Sequence, residues 1–229
     1  MGMPVTVRAD AGAERVFQWL RWVDATFSTY REDSQIRRID RGELRIEDSH
    51  PHVREVLARC ERLRVATGGY FDARAGGRLD PSGLVKGWAV DRAAAMLSGS
   101  FFIDAGGDVL VRGGPWRVGI RHPLRADALC AALKLSDGAV ATSGAYERGD
   151  HILDPVGGGP ARGALSVTVI GRTLATADAY ATAAFAMGER GPAWTARLRG
   201  CEAMTVLADG SVLTTRGWER YRQSLSRAA

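Results

Sequence analysis

The 229-residue chain contains no asparagine, and only two lysines, Lys86 and Lys134, against 29 arginines. Without Asn there is no N-x-S/T acceptor for N-linked glycosylation. The three cysteines, Cys60, Cys130 and Cys201, cannot all pair within one chain, and no C-x-x-C or neighbouring His cluster accompanies them. That argues against a disulfide scaffold and a zinc module, and the three thiols are expected to be free. No run of eighteen apolar residues occurs, so no transmembrane helix is expected. Arg8, Asp10, Glu14 and Arg15 interrupt the first twenty residues and leave no apolar core for a signal peptide. On these grounds the chain is expected to be cytoplasmic, with no membrane insertion. The phosphate-binding G-x-x-x-x-G-K-[ST] loop and the G-x-S-x-G nucleophile elbow are both missing, which argues against a P-loop NTPase and an α/β-hydrolase.

What is present is a net charge of +5 and a sequence pI near 9.5. Nucleic-acid binding would need a basic stripe or an aromatic platform. The densest basic stretch, 31–45, is interleaved with Glu32, Asp33, Asp40 and Glu43. The surplus reads as a compositional preference for Arg spread along the chain, so no nucleic-acid partner is expected. An anionic small substrate fits the same surplus.

The first half is helix-rich. Val16, Leu20, Val23 and Phe27 recur at helical spacing and predict a helix over 12–28. Val53, Val56, Leu57, Cys60 and Leu63 predict a second, with Pro51 near its first turn, and 88–97 a third. The second half is strand-rich: 101–103, 109–111, 116–120, 128–135 and 165–170 are short β-prone runs bounded by Gly, Pro or Asp. Asp209-Gly210 joins 205–208 and 212–214 as a hairpin. An Ala-rich helix over 176–187 and a short helix over 218–225 complete the pattern. Helices followed by strands, without βαβ alternation, predict an α+β fold with a mixed or antiparallel sheet and packed helices.

Several stretches carry chemistry-bearing residues. Asp178 and Thr182 are four residues apart, which on a helix sets a carboxylate and a hydroxyl on one face. Such hard oxygen ligands suit Mg²⁺, which takes few ligands from protein and keeps room for phosphates. The same segment also reads as an ordinary helix start, with Thr176 as N-cap and Asp178 in the first turn. Lys86 follows Asp80-Pro-Ser-Gly and is either a retained point charge or a solvated lysine. Asp108 closes a Gly-Gly turn that is equally an ordinary hairpin. Thr142-Ser-Gly and His151-Ile-Leu-Asp-Pro bring hydroxyls, a carboxylate and a His close in sequence, and His151 is a general acid–base candidate or a structural histidine.

The order of these blocks resembles the ApbE family, the FAD:protein FMN transferases. The matching blocks are Phe27-Ser-Thr-Tyr through Ile39, Thr67-Gly-Gly-Tyr-Phe-Asp72, Leu79 through Asp91 with Lys86-Gly87, Asp104-Ala-Gly-Gly-Asp108, Thr142 through Pro155, and Ala177-Asp-Ala-Tyr-Ala-Thr182. The resemblance implies one ApbE-like (T-fold-like) domain over 1–229. It implies a Mg²⁺-dependent enzyme that splits the FAD pyrophosphate, attaches FMN to a Thr or Ser of an acceptor flavoprotein and releases AMP. Some members of the family hydrolyse FAD to FMN and AMP instead. A non-catalytic flavin binder is the reading from another class. Carried over by position, Asp178 and Thr182 hold Mg²⁺ with the Val85 carbonyl. Tyr30, Tyr70, Phe71, Asp72 and Asp108 line the FAD site, with Met1, Ile152 and Ala181 nearby. His151 and Lys86 take catalytic roles.

Overall fold

A computed structural model describes residues 2–144 and 152–223. Every strand pair it contains is antiparallel. In chain order the elements are β1 (Val5–Arg8), α1 (Ala13–Phe27), α2 (Gln35–Asp40), α3 (Pro51–Ala66), α4 (Ser82–Ala94), β2 (Phe101–Ala105), β3 (Asp108–Arg112), β4 (Trp116–His122), β5 (Arg125–Leu135), β6 (Gly138–Gly144), β7 (Ala164–Gly171), α5 (Leu174–Ala186), α6 (Gly191–Thr195), β8 (Glu202–Leu207), β9 (Val212–Thr214) and β10 (Arg222–Gln223). Seven strands form one sheet in the order β1-β2-β3-β6-β7-β8-β9, and β10-β5-β4 form a second. This is the expected α+β class.

Strand alternation divides the core in two. Side chains of successive strand residues point to opposite faces. Leu110, Ala139, Ala141, Val167, Val169 and Ala203 face the helices, while Val109, Val111, Val140, Ile170 and Met204 pack with Val118, Ile120, Leu133 and Trp218. The large sheet therefore carries the helices on one side and the small sheet on the other. Most of its strands are buried on both faces and read as near-continuous apolar runs, as in β7.

The helices follow their apolar stripes. Val16, Leu20, Val23 and Phe27 are the buried line of α1, and Val53, Val56 and Cys60 that of α3. In α5 nearly every residue is buried, and its alanines let it lie close on β6 and β7. Three expectations change. The third helix begins at Ser82 instead of residue 88, because Gly83 and Gly87 sit inside it, where their missing side chains permit close contacts. The Ala-rich helix begins at Leu174, and its N-cap is Thr173, whose hydroxyl accepts from Thr176 N–H; Thr176 is not the cap. The expected helix over 218–225 is a single 3₁₀ turn, Trp218–Arg220, followed by the bridge strand β10; residues 224–229 lie outside the described residues. Trp218 seals the inter-sheet core, and burying that one ring against β-strands overrides the local helical pattern.

Candidate active site

The β2–β3 hairpin turns through Gly106 and Gly107, both at positive φ (64° and 89°), the two-residue turn that suits the strand twist. Asp104 fixes it by accepting the Gly107 N–H at 2.8 Å. The turn delivers Asp108 to the first position of β3, where it is 2% exposed. One oxygen of Asp108 accepts the Thr142 N–H of β6 at 2.9 Å, and the other meets the Lys86 ammonium.

Lys86 reaches this point from α4. Its Nζ touches Asp108 and stands 3.5 Å from Asp178 Oδ1 of α5. The second oxygen of Asp178 accepts the Gly87 N–H at 3.2 Å. One turn further along α5, Thr182 Oγ1 lies 3.3 Å from Ser143 Oγ of β6. Two buried carboxylates thus share one ammonium, beside a pair of hydroxyls. Burial pushes the Asp178 carboxyl up to about 7; Lys86 pulls it down, and Asp108 pushes it up further. Burial likewise raises Asp108 against the pull of Lys86. Burial acts to lower Lys86, but the two carboxylates outweigh it and hold the ammonium above its usual value.

Close approach of α4 and α5 makes this meeting possible. A Cβ at Gly87 would lie 2.5 Å from the Leu174 carbonyl oxygen and 2.7 Å from Ala175 Cα. Only glycine fits, which accounts for a helix-weakening residue in mid-helix. Gly83, one turn earlier, faces the Phe71 ring at 3.2 Å and the Thr182 methyl at 3.6 Å from its Cβ position. Thr67 holds the Phe71 backbone, its hydroxyl accepting the Phe71 N–H at 2.9 Å.

The structure therefore brings together Lys86, Asp108, Asp178, Thr182 and Phe71. Val85 is buried in α4 beside Lys86, and Ala181 is fully buried beside Thr182. Tyr70 accepts a hydrogen bond from Arg190 at 3.0 Å. Asp72 caps a local turn through Arg74 N–H at 2.8 Å and, with Cys60, Ala73 and Leu79, lines a cavity of about 430 Å³ beside α3. Ile152 begins a loop in which Leu153 pairs with Pro160 and Asp154 accepts the N–H groups of Val156 and Gly157. Tyr30 is 91% exposed on the turn after α1 and stands out to solvent. Met1 and His151 lie outside the described residues.

Ser143 and the Gly87 N–H are site features that sequence reasoning did not single out. The Thr142-Ser-Gly block held the signal for Ser143, because alternate residues of a strand face opposite ways. Thr142 turns to the Thr168 hydroxyl at 2.9 Å while Ser143 turns to α5. Among the described residues no group of three or more His, Cys, Asp or Glu side chains is placed to hold a metal ion. A divalent cation here would meet the Asp178 carboxylate and the Thr182 and Ser143 hydroxyls. That donor set fits Mg²⁺, a hard ion that retains water and phosphate ligands.

The ApbE family model matches residues 1–77 and 73–205. The chain belongs to the ApbE family. Among relatives named FAD:protein FMN transferase, that of Rhodobacter capsulatus is 36% identical over 155 residues, covering 60% of this chain and 30% of that protein. The Vibrio cholerae protein of that name is 34% identical over 130 residues, covering 48% and 39%. The matched stretch thus spans well under half the length of these curated relatives. Over solved structures the likeness is nearly complete. The ApbE protein of Thermotoga maritima superposes with a TM-score of 0.86 at 25% identity, covering 97% of both chains. The Vibrio cholerae flavin transferase ApbE superposes at 0.83 and 21% identity, covering 96% of both, which shows the shared fold. Among the described residues of this ApbE-family chain, no helix is long and apolar enough to cross a membrane.

Proposed function

We propose that this ApbE-family chain is a Mg²⁺-dependent FAD:protein FMN transferase. It cleaves the FAD pyrophosphate, joins FMN through a phosphoester to a Thr or Ser of an acceptor protein, and releases AMP. The observation that carries the reading is the convergence of Asp178 and Thr182 on one face of α5 with Lys86 and Asp108, beside the Phe71 ring.

Asp178, Thr182 and the Val85 carbonyl are the residues that would hold Mg²⁺. When bound, the ion supplies positive charge to the pyrophosphate oxygens. Lys86 holds a second positive charge at the same place, already oriented by two carboxylates, so it costs little reorganisation as negative charge develops. Phe71 offers a flat apolar face to an aromatic ring of the substrate. Asp108 anchors Lys86 through its link to the Thr142 N–H, and Asp72, next to Phe71 in sequence, lines the cavity beside α3. His151, by its place in the family pattern, takes the proton from the attacking hydroxyl.

AMP release from FAD, followed by chromatography with and without MgCl₂, tests the reading. AMP should form only with the metal, and the Asp178→Ala variant should lose the activity by about 10²-fold or more. Metal-dependent AMP release that survives Asp178→Ala would refute the metal assignment. Metal-dependent AMP without labelling of any acceptor would make the protein an FAD pyrophosphatase.

A further inference from the structure

The N-terminus of α5 is satisfied from two sources, and one of them is α4. A helix leaves its first four N–H groups without intrahelical partners. Here the Ala177 N–H makes the first i→i−4 bond, to the Thr173 carbonyl at 3.2 Å, and of the groups before it the Thr176 N–H reaches the Thr173 hydroxyl at 3.4 Å. Those of Leu174 and Ala175 donate to Oδ1 and Oδ2 of Asp91 at 2.8 and 2.9 Å. Asp91 lies 83 and 84 residues away in sequence, on α4.

Asp91 is one turn after Gly87 on the same face of α4. Gly87 meets the Leu174 carbonyl and Ala175 Cα, and Asp91 grips the N–H groups of the same two residues. The two contacts hold the first turn of α5 at a fixed height along α4. Asp178 is one turn further along α5, and both of its oxygens face α4, toward Lys86 Nζ and the Gly87 N–H. A slide of α5 by a fraction of a turn would separate Asp178 from both.

We infer that Asp91 is a positioning residue: it sets the axial register of α5 against α4 and so presents Asp178 to Lys86 and to the metal. This rests on the functional reading above for its metal consequence, and on geometry alone for the register. Partners that orient a metal ligand typically change metal affinity by about 10–100-fold when removed.

Thr173 provides the control, because Thr173→Ala removes a cap from the same helix end without touching α4. Full-length wild type, Asp91→Ala, Asp91→Asn and Thr173→Ala would be compared by Mn²⁺ titration with electron paramagnetic resonance. The ¹³C resonance of the Asp178 carboxyl would be read on the metal-free proteins. Asp91→Ala should weaken Mn²⁺ binding about 10–100-fold and shift the Asp178 resonance. Asp91→Asn, which keeps one acceptor oxygen, should recover part of both, and Thr173→Ala should leave both near wild type. Equal effects from Asp91→Ala and Thr173→Ala, or an unmoved Asp178 resonance in Asp91→Ala, would overturn the inference. Absence of Mn²⁺ binding by wild type would refute the metal reading instead, and the Asp178 resonance would still decide the register.

Discussion

The Lys86 ammonium touches Asp108 and lies 3.5 Å from Asp178, so a single positive charge serves two carboxylates that are each at most 3% exposed. The cluster is one charge short of neutral when both acids are ionised. Burial makes that deficit costly, which is why Asp178 holds its proton to about pH 7.

Removing the shared cation follows directly. Lys86→Met leaves Asp108 and Asp178 buried without a counter-charge. Breaking a buried pair in this way costs about 3–5 kcal/mol at neutral pH. The loss should shrink in acid, where both carboxyls carry protons. Urea unfolding at pH 5 and pH 8 checks this; an equal loss at both values would contradict it.

Metal affinity should depend on pH with a defined sign. The cation requires ionised Asp178, and below about pH 7 a proton occupies it. Affinity should therefore fall as pH drops below about 7 and level off above it. The stability of the metal-free protein runs the other way. A carboxyl raised in the folded state contributes stability that is present below its unfolded value and lost as pH rises through about 7. Mg²⁺ should accordingly raise the melting temperature more at pH 8 than at pH 6. Calorimetric scans at the two values measure it.

Gly87→Ala tests the helix contact. Alanine improves intrinsic helix propensity by up to about 1 kcal/mol. Here its Cβ would fall 2.5 Å from a backbone oxygen that can move only with α5. The expected net effect is destabilisation by about 1–3 kcal/mol, with weakened metal binding. A stabilised variant would show that the helices are not so closely packed.

Much of this was legible in the sequence. Apolar spacing located α1 and α3, and Asp209-Gly210 marked the β8–β9 turn, because these elements are decided locally. The four-residue spacing of Asp178 and Thr182 placed them on one helix face, and the order of blocks placed Lys86, Asp108 and Phe71 beside them. What could not be read was decided by contacts distant in sequence. The start of α5 at Leu174 depends on Asp91, and the helical state of Gly87 depends on α5 needing room there. That 218–220 form a single 3₁₀ turn followed by a strand depends on a pocket between two sheets for Trp218. The exposed position of Tyr30 is likewise a matter of where α1 ends.

The buried thiol of α3 offers a check on the fold. Burial pushes Cys60 up to about 12. It should resist alkylation at pH 8 in the native protein, while half-buried Cys130 reacts first. Its stability contribution is present below about pH 9, where the unfolded thiol ionises, and declines toward pH 12 by about 1.4 kcal/mol per unit. Peptide mapping of labelled protein reads the order. Early labelling of Cys60 would contradict its place on the buried face of α3.

Intact-protein mass spectrometry of a co-expressed candidate acceptor reads the proposed transfer of FMN to protein. The acceptor should gain the mass of FMN in phosphoester linkage, mapped to a Ser or Thr. That increase should be absent when the co-expressed chain carries Asp178→Ala. An acceptor panel that stays unmodified while the wild-type chain converts FAD to FMN and AMP would contradict it.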